Sequence, residues 1–273
     1  MTDVSPEVVS ELVDLGLERR EARWLAEEFL PRGAVALRAA AHRRLSGEPL
    51  QYIIGHWPFR TLDLDVDRRV LIPRPETEGL VDVALDRLRA PSQVTPLLLD
   101  LGCGSGAIGF SLLNELRHRG VLATLVSLDE SSDALEVAQS NARKHGFEDV
   151  TFVASSWFDA LDPSLRGRID LIVSNPPYVG EEEFDRLDPV LGFEPRRALV
   201  SPDAHGVEGL EDLAVIVTGA MNWLRPGGAL VVEHGETQHD ALLDLAERAG
   251  YHAVRDVNDL SGRPRVLTAQ RPA

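Results

Sequence analysis

The stretch that decides the fold is Leu97-Leu98-Leu99-Asp100-Leu101-Gly102-Cys103-Gly104-Ser105-Gly106, an apolar run followed at once by a glycine-rich loop. A continuous apolar run of this length is typical of a strand buried on both faces of a sheet. Glycines let the backbone turn sharply and approach a ligand, whose polar groups can meet the N-terminus of a following helix. We therefore expect a strand, a ligand-binding loop and a helix in this order.

An acidic residue supports a binding role for this loop. Asp129 closes the next predicted strand, 23 residues after Gly106, where a carboxylate can accept both hydroxyls of a ribose. The pattern predicts a site for a nucleoside-bearing ligand. The spacing Gly102-x-Gly104-x-x-Ala107 also fits the looser dinucleotide pattern, so NAD remains open from the loop alone. The residues expected to line the site are Asp100, Gly102, Cys103, Gly104, Ser105, Gly106 and Asp129, with Cys103 acting as a small packing residue.

Strands and helices alternate through the rest of this half. Apolar strands separated by helices predict a doubly wound α/β sheet that is covered on both faces. The last two strands could form a closing antiparallel pair. The predicted strands are 97–101, 124–128, 150–153, 169–173, 229–233, 254–257 and 265–268, and the helices outside the glycine loop are 131–145, 207–223 and 236–249.

The N-terminal part has a different pattern. A helix is expected from Ser5-Pro6-Glu7 to Gly16, a second one over 22–29, ended by Pro31, and a third over 34–45. Residues 61–67 alternate strictly and predict one arm of a hairpin. A stiff loop then opens a helix at about Thr77, and 90–96 is a loop by composition. We expect a helical domain with a β-hairpin connector over 1–75, and a second domain over 76–273.

Composition narrows the class of protein. The 273 residues are 44% apolar and carry a net charge of −16, so the chain can bury a core and lacks the basic surface usual in general nucleic-acid binders. Residues 1–90 hold 13 Arg against 16 acids, a balance of −3, and the remainder carries −13. The arginines of the first helices are interpreted as solvent-exposed surface residues or, alternatively, as a surface for docking a partner.

The cysteine content, the histidine spacing and the apolar runs predict the compartment and whether a metal is bound. The single cysteine, Cys103, cannot form an internal disulfide or a structural zinc cluster. His234 and His239 are five apart, a spacing that does not suit a ligand pair on one helix face. No apolar run spans a membrane and no secretion signal is visible. We expect a cytoplasmic protein without a metal site and without a membrane partner.

The reaction class is indicated by Ser174-Asn175-Pro176-Pro177-Tyr178, which follows the fourth predicted strand directly. In open α/β sheets this loop faces the same crevice as the glycine loop. The prolines fix the backbone and leave its carbonyls as acceptors, Asn175 adds a side-chain acceptor, and Tyr178 offers a flat face. Such acceptors can hold and aim an NH₂ group, and a cationic sulfonium suits this setting. The sequence therefore predicts methyl transfer from S-adenosylmethionine.

At this point the chain resembles a known family. The Asn-Pro-Pro-Tyr and Gly-x-Gly-x-Gly motifs are shared by methyltransferases that act on planar NH₂ groups. Further segments look like those of the glutamine methyltransferases of peptide-chain release factors (HemK/PrmC type), and the most specific is Arg74-Pro75-Glu76-Thr77-Glu78. The similarity runs from the N-terminal helices to near the C-terminus. The other segments are Gln51–Gly55, Val70–Pro73, Glu194–Arg196 with Ala198-Leu199, and Leu260–Arg263.

The resemblance implies a Rossmann-like class I methyltransferase sheet and a role for each motif. Gly102, Gly104 and Gly106 would hold the methionine part of S-adenosylmethionine, Asp129 its ribose, and Trp157 would lie near its adenine. Asn175, Pro176, Pro177 and Tyr178 would hold the substrate glutamine amide, with Asn175, Pro176 and Tyr178 as the catalytic residues, and Asn175 would also contact the cofactor. The N-terminal helices would recognise a class 1 release factor and present its Gly-Gly-Gln loop. Ser156 stands where the family often has an acid, so a hydrogen bond from residue 156 to the adenine is not expected.

Two other functions compete with this interpretation. A DNA or RNA methyltransferase acting on adenine-N6 or guanine-N2 would share the Asn-Pro-Pro-Tyr motif, but the acidic catalytic half and the lack of a second basic domain argue against direct nucleic-acid binding. A non-catalytic docking subunit with the same fold is the second alternative. The fold alone does not distinguish this alternative from an enzyme. The intact motif at 175–178 argues against it, because a docking subunit does not need a site that holds an NH₂ group.

Overall fold

The computed structural model describes residues 4–88 and 95–273, and its N-terminal part is a small helical bundle followed by a two-stranded ribbon. The three predicted helices and the predicted hairpin are confirmed, while the fourth helix and the position of the first ribbon strand were not predicted. Ser5 caps the first helix by accepting from the Glu7 N–H at 3.2 Å. The elements are α1 Pro6–Asp14, α2 Arg19–Phe29, α3 Ala34–Leu45, α4 Leu50–Ile54, β1 His56–Phe59 and β2 Leu62–Asp65. The predicted loop 90–96 lies largely outside the described residues.

The larger part is a seven-stranded sheet in the order β5-β4-β3-β6-β7-β9-β8. Five strands are parallel, and the last two form the expected antiparallel pair. The chain runs outward from β3 to β5 and then returns to place β6 on the other side of β3. The strands are β3 Leu97–Leu101, β4 Thr124–Asp129, β5 Thr151–Ala154, β6 Ile169–Ser174, β7 Leu224–Glu233, β8 His252–Asn258 and β9 Pro264–Gln270.

Helices cover both faces of the sheet, as the apolar strands require. Two large apolar clusters fill the two helix–sheet layers, with fully buried leucines on alternate positions of β3: Leu98 packs in one cluster, and Leu99 and Leu101 pack in the other. This confirms the doubly wound α/β fold. The helices are α5 Glu78–Arg87, α6 Ala107–His118, α7 Ser132–Lys144, α8 Glu181–Phe184, α9 Glu211–Ala220 and α10 His239–Arg248. No helix of the described ranges is long and apolar enough to span a bilayer.

One predicted helix was too long. The helix expected over 207–223 extends only from Glu211 to Ala220. Gly209 has φ +67°, in the left-handed region, and a Cβ there would overlap the carbonyl oxygen of Tyr178. The chain therefore turns at Gly209 to pack against the loop after β6, and the helix can begin only after this turn.

The β1–β2 ribbon is tied to the sheet by a buried asparagine. Asn141 on α7 is fully buried, and its side chain exchanges hydrogen bonds of 2.7 and 3.0 Å with the backbone of Asp65. Its Nδ2 also donates to the Ser105 carbonyl at 2.9 Å. One side chain thus connects the ribbon to the glycine loop.

The segment between ribbon and sheet is fixed by a buried glutamate. Glu194 accepts from the Ile72 N–H at 3.0 Å and pairs with Arg74. A 3₁₀ turn over Pro75–Thr77 then leads into α5, close to the predicted helix start. This arrangement brings Thr77 to the carboxyl ends of the central strands.

Candidate functional site

A cavity of about 700 Å³ opens at the carboxyl ends of β3, β4, β5 and β6. The strand order reverses between β3 and β6, and crevices at such a switch point are the usual ligand sites of open α/β sheets. The cavity is large enough for a nucleoside-sized cofactor together with a side chain. Eight of the predicted site residues line it: Gly102, Cys103, Gly104, Ser105, Asp129, Trp157, Asn175 and Pro177.

The glycine loop turns in the way its sequence indicates. Gly102, Gly104 and Gly106 have φ of +68°, +53° and +83°, values that L side chains rarely adopt. A Cβ on Gly104 would meet no atom of residues 4–88 or 95–273 within 4 Å, whereas one on Gly106 would overlap the Phe110 ring. Gly104 therefore borders open space in the cavity, and Gly106 lies beneath the loop, where helix α6 begins.

Asp129 stands beside this loop with its orientation fixed. One carboxylate oxygen accepts from the Gly104 N–H and the other from the Ser131 N–H, each at 2.9 Å. Each oxygen keeps a further lone pair for a ligand hydroxyl. Burial raises the pKa of Asp129, while these two backbone bonds act in the opposite direction. The carboxylate is thus well suited to accept from two neighbouring hydroxyl groups.

Asp100 does not reach the cavity. It is fully buried, its Oδ2 accepts from the Gly109 N–H at 3.0 Å, and its Oδ1 has no hydrogen-bond partner among the described residues. Burial raises its pKa to about 7. Cys103 is buried as well, which raises the pKa of its thiol well above the ordinary value and makes it a packing residue rather than a nucleophile. Gly106 and Pro176 also lie outside the lining.

Trp157 forms one wall of the cavity next to the glycine loop. Its φ is +43°, and its indole Nε1 donates to Asp212 Oδ1 at 2.9 Å. Ser156 and Asp212 both line the cavity. Sequence reasoning missed Asp212 because it lies 55 residues away at the start of α9. The carboxylate at this wall thus comes from residue 212, while position 156 has none.

Asn175 directly follows β6, lines the cavity, and is held there by Thr77. Its Nδ2 donates to Thr77 Oγ1 at 3.1 Å, so its Oδ1 is free to accept from a ligand. Thr77 is 3% exposed and lines the same cavity. Thr77 belongs to the Arg-Pro-Glu-Thr-Glu segment that the sequence analysis singled out. The contact between Thr77 and Asn175 could not be derived from the sequence.

Tyr178 faces a second, smaller cavity on the other side of this loop. This cavity has a volume of about 310 Å³ and a mostly charged lining. The lining residues are Arg74, Glu76, Tyr178, Glu233, Asp259, Ser261, Arg263 and Arg265. The Tyr178 hydroxyl donates to Glu233 Oε1 at 3.2 Å. Arg74 lines both cavities, so they adjoin each other.

Charged residues surround the mouth of the large cavity. Arg69, Arg74, Arg196 and Arg197 line it together with Glu130. Arg197 pairs with Glu130 at 2.8 Å. Sequence reasoning did not assign these arginines to the site, because they come from two segments that only the fold brings together. In the described part of the chain no group of three or more His, Cys, Asp or Glu side chains could hold a metal ion.

The fold and this site together define a methyltransferase domain. The family model described as "Methyltransferase domain" matches residues 97–262, more than half of the chain. A release factor glutamine methyltransferase from Xylella fastidiosa (strain 9a5c) is 43% identical over 237 residues, 87% of this chain and 82% of its own length. The protein of the same name from Bordetella pertussis is 40% identical over 93% of this chain and 96% of its own length. The chain belongs to the release factor glutamine methyltransferase family.

Solved structures agree with the fold. A T. thermophilus 16S rRNA N2 methyltransferase in complex with AdoMet and guanosine superposes with a TM-score of 0.55 and 19% identity, over 79% of this chain and 49% of the other. A methyltransferase from Pyrococcus furiosus gives 0.54 and 15% identity, over 78% of this chain and 91% of the other. At these identities the likeness concerns the fold.

Proposed function

We propose that this protein transfers a methyl group from S-adenosylmethionine to the side-chain amide nitrogen (N5) of the glutamine in the Gly-Gly-Gln loop of class 1 peptide-chain release factors. Membership in the family supports this activity. The observation that carries it is the Asn175 amide, which Thr77 holds in the wall of the cavity that the glycine loop also lines.

The lining of the large cavity fits the cofactor. Gly104 borders open space and leaves room for the methionine part, Asp129 offers two fixed acceptor oxygens to the ribose, and Trp157 offers a flat surface to the adenine. When bound, S-adenosylmethionine supplies a methyl group on a sulfonium, which is open to nucleophilic attack. Asp212, hydrogen-bonded to Trp157, fixes the ring that would stack on the adenine.

The chemical difficulty lies in the amide nitrogen, whose lone pair is delocalised into its carbonyl. Asn175 Oδ1 would accept one of its N–H groups and aim the nitrogen; the Pro176 carbonyl, the second acceptor that the motif predicts, belongs to a residue outside the cavity lining. Positioning of this kind lowers barriers by roughly 7–11 kcal/mol in the best cases. The same acceptors stabilise the positive charge that develops on nitrogen, which is a preference for the transition state over the ground state. The proton could then leave to water.

Substrate recognition is assigned to the N-terminal part. Residues 1–75 form, in our proposal, the recognition domain and connector that precede the methyltransferase domain over 76–273. The α1–α4 bundle has its own apolar core, and its surface leaves Leu15, Val35 and Leu45 exposed. Exposed apolar side chains on a charged surface are suited to contact with another protein. The single buried cysteine is consistent with a reducing compartment, and we place the activity in the cytoplasm.

The decisive experiment is incubation with labelled S-adenosylmethionine and a panel of release factor, duplex DNA and rRNA, followed by mass mapping. We expect label only on the release factor, on the glutamine of its Gly-Gly-Gln loop. Label on a nucleobase would support the DNA or RNA methyltransferase, and absence of label on all three would support a docking subunit.

A further inference from the structure

Asp212 places a carboxylate in the wall of the large cavity. It belongs to the first turn of α9, lines the cavity and is half-buried. Its Oδ1 accepts from the indole Nε1–H of Trp157 at 2.9 Å. Across residues 4–88 and 95–273, no side chain or backbone group donates to its Oδ2. One oxygen of this carboxylate is therefore bound within the protein, and the other keeps its lone pairs for a ligand.

Trp157 determines which oxygen is left for the ligand. An indole N–H can donate but cannot accept, so any side chain at residue 212 that keeps this hydrogen bond must turn an acceptor toward the ring. Trp157 is itself fixed, because its carbonyl accepts from Ser155 Oγ at 3.0 Å in a backbone with φ +43°. The orientation of the Trp157–Asp212 pair thus follows from a donor that cannot reverse its role.

The strand order places this pair at the end of the cavity where the base of the cofactor would lie. The strands run in the order β5-β4-β3-β6, and Asp129, which would accept the ribose hydroxyls, ends β4. Asn175 follows β6 on one side of Asp129, and Trp157 follows β5 on the other side. A nucleoside whose ribose lies at Asp129 and whose sulfonium is directed toward Asn175 therefore directs its base toward Trp157 and Asp212.

We propose that Asp212 Oδ2 accepts from the exocyclic 6-amino group of the cofactor's purine and makes the site select a 6-amino purine over a 6-oxo purine. This inference rests on the proposed function, in which S-adenosylmethionine occupies the large cavity. Adenine presents an NH₂ donor at position 6, whereas a 6-oxo purine presents an acceptor oxygen there. A fixed carboxylate oxygen attracts the first and repels the second, and specificity follows from both effects.

Asp212→Asn is the variant that tests this assignment. Because Trp157 Nε1 can only donate, the asparagine must turn its oxygen to the indole and its NH₂ group to the ligand. Asp212→Ala removes both groups. Asp240→Asn is the matched control, since Asp240 holds the same position in the first turn of α10 but its side chain is fully exposed.

The probes are S-adenosylhomocysteine and S-inosylhomocysteine, which carry an amino group and an oxygen, respectively, at position 6 of the purine. Neither has a methyl group to transfer, so calorimetric titration measures binding without turnover. We expect wild type to prefer S-adenosylhomocysteine on the order of tenfold, the effect of one hydrogen bond. Asp240→Asn should keep this preference.

Asp212→Asn should reverse the preference, because it presents a donor where wild type presents an acceptor. It should bind S-adenosylhomocysteine on the order of tenfold more weakly and S-inosylhomocysteine more tightly than wild type does. Asp212→Ala should bring the two dissociation constants close together. A change in packing or in the stability of α9 would weaken both ligands alike and could not reverse their order.

Equal wild-type affinities for the two ligands, or equal weakening of both by Asp212→Asn, would overturn the inference. If Asp212→Asn does not fold, as judged by circular dichroism, Asp212→Ala decides, and a wild-type preference retained in it would overturn the inference. A wild type that shows the expected preference but does not methylate a release factor would overturn the proposed substrate alone. A wild type that binds neither ligand would overturn both proposals.

Discussion

At the scale of single residues, Asp129 has a role that depends on both of its oxygens. Each accepts a backbone N–H at 2.9 Å, from Gly104 and from Ser131. Replacement by asparagine keeps the shape but turns an NH₂ group toward one of these donors. We expect Asp129→Asn to weaken S-adenosylmethionine binding by roughly 10- to 100-fold, about 1.4–3 kcal/mol. Calorimetric titration measures this, and a dissociation constant within twofold of wild type would contradict it.

Alanine variants of Gly106 and Gly104 separate the cost of backbone strain from the cost of steric overlap. Both have positive φ, but only at Gly106 would a Cβ overlap the Phe110 ring. Gly104→Ala should lower the free energy of unfolding by about 1 kcal/mol through backbone strain, and Gly106→Ala by about 2–4 kcal/mol because overlap is added. Urea denaturation compares the two. Equal losses would show that the Phe110 contact is unimportant.

Asp100 predicts a pH dependence of stability. Burial raises its pKa from 3.8 to about 7 in the folded protein, so the folded state binds a proton more tightly than the unfolded chain. Stability from this group is therefore present at low pH and is lost as pH rises from about 4 to about 7, by up to about 4 kcal/mol.

The variant Asp100→Asn checks this, because it does not titrate. Its free energy of unfolding minus that of wild type should increase between pH 5 and pH 8, because only wild type loses stability from this group over the range; urea denaturation at each pH measures the difference. A difference that does not change with pH would contradict the raised pKa.

Site residues that belong to a local sequence motif could be predicted from the sequence. Site residues that are defined by a hydrogen bond to a residue far away in the chain could not. The glycine loop, Asp129 and Asn175 could be found because each stands at the carboxyl end of a buried strand. Asp212 and Glu233 could not, since they lie 55 residues from Trp157 and Tyr178, and no local pattern records a contact made by folding. Tyr178 was placed in the crevice by its motif, whereas its side chain lines the smaller cavity.

At the scale of elements, periodicity located long helices and apolar strands but not short ones. α4 has five residues and β1 contains Pro58, so neither shows a clear period. The helix predicted over 207–223 was too long at its start, because the apolar pattern already begins before Gly209. Contact with the Tyr178 backbone forces a turn at Gly209, and the helix begins after it. Contact with another part of the chain, rather than propensity, sets these boundaries.

The proposed recognition role of the N-terminal helices has its own test. Val35 on α3 is 85% exposed, and Leu122, far along the chain before β4, is 77% exposed. We expect Val35→Glu to raise KM for the release factor several-fold with kcat unchanged, because it removes binding that ground state and transition state share. Leu122→Glu should leave both constants unchanged. Equal effects of the two variants would contradict a docking role for this helix.

At the scale of the whole molecule, strand order explains why motifs far apart form one site. The glycine loop follows β3 and the Asn-Pro-Pro-Tyr loop follows β6, and these strands are neighbours although about 70 residues separate them. Alternating strands and helices predict parallel strands, and the crevice at a switch point then follows. The pairing of β3 with β6 itself had to come from the structure, because several strand orders satisfy the same alternation.

The central claim is that Asn175 holds the substrate amide and that its side chain contributes little to cofactor affinity. The most direct measurement is the rate of label transfer from S-adenosylmethionine to a release factor by Asn175→Ala, together with the cofactor's dissociation constant. The account predicts that methylation is abolished while the dissociation constant stays within a few-fold of the wild-type value. Turnover retained by Asn175→Ala would contradict it.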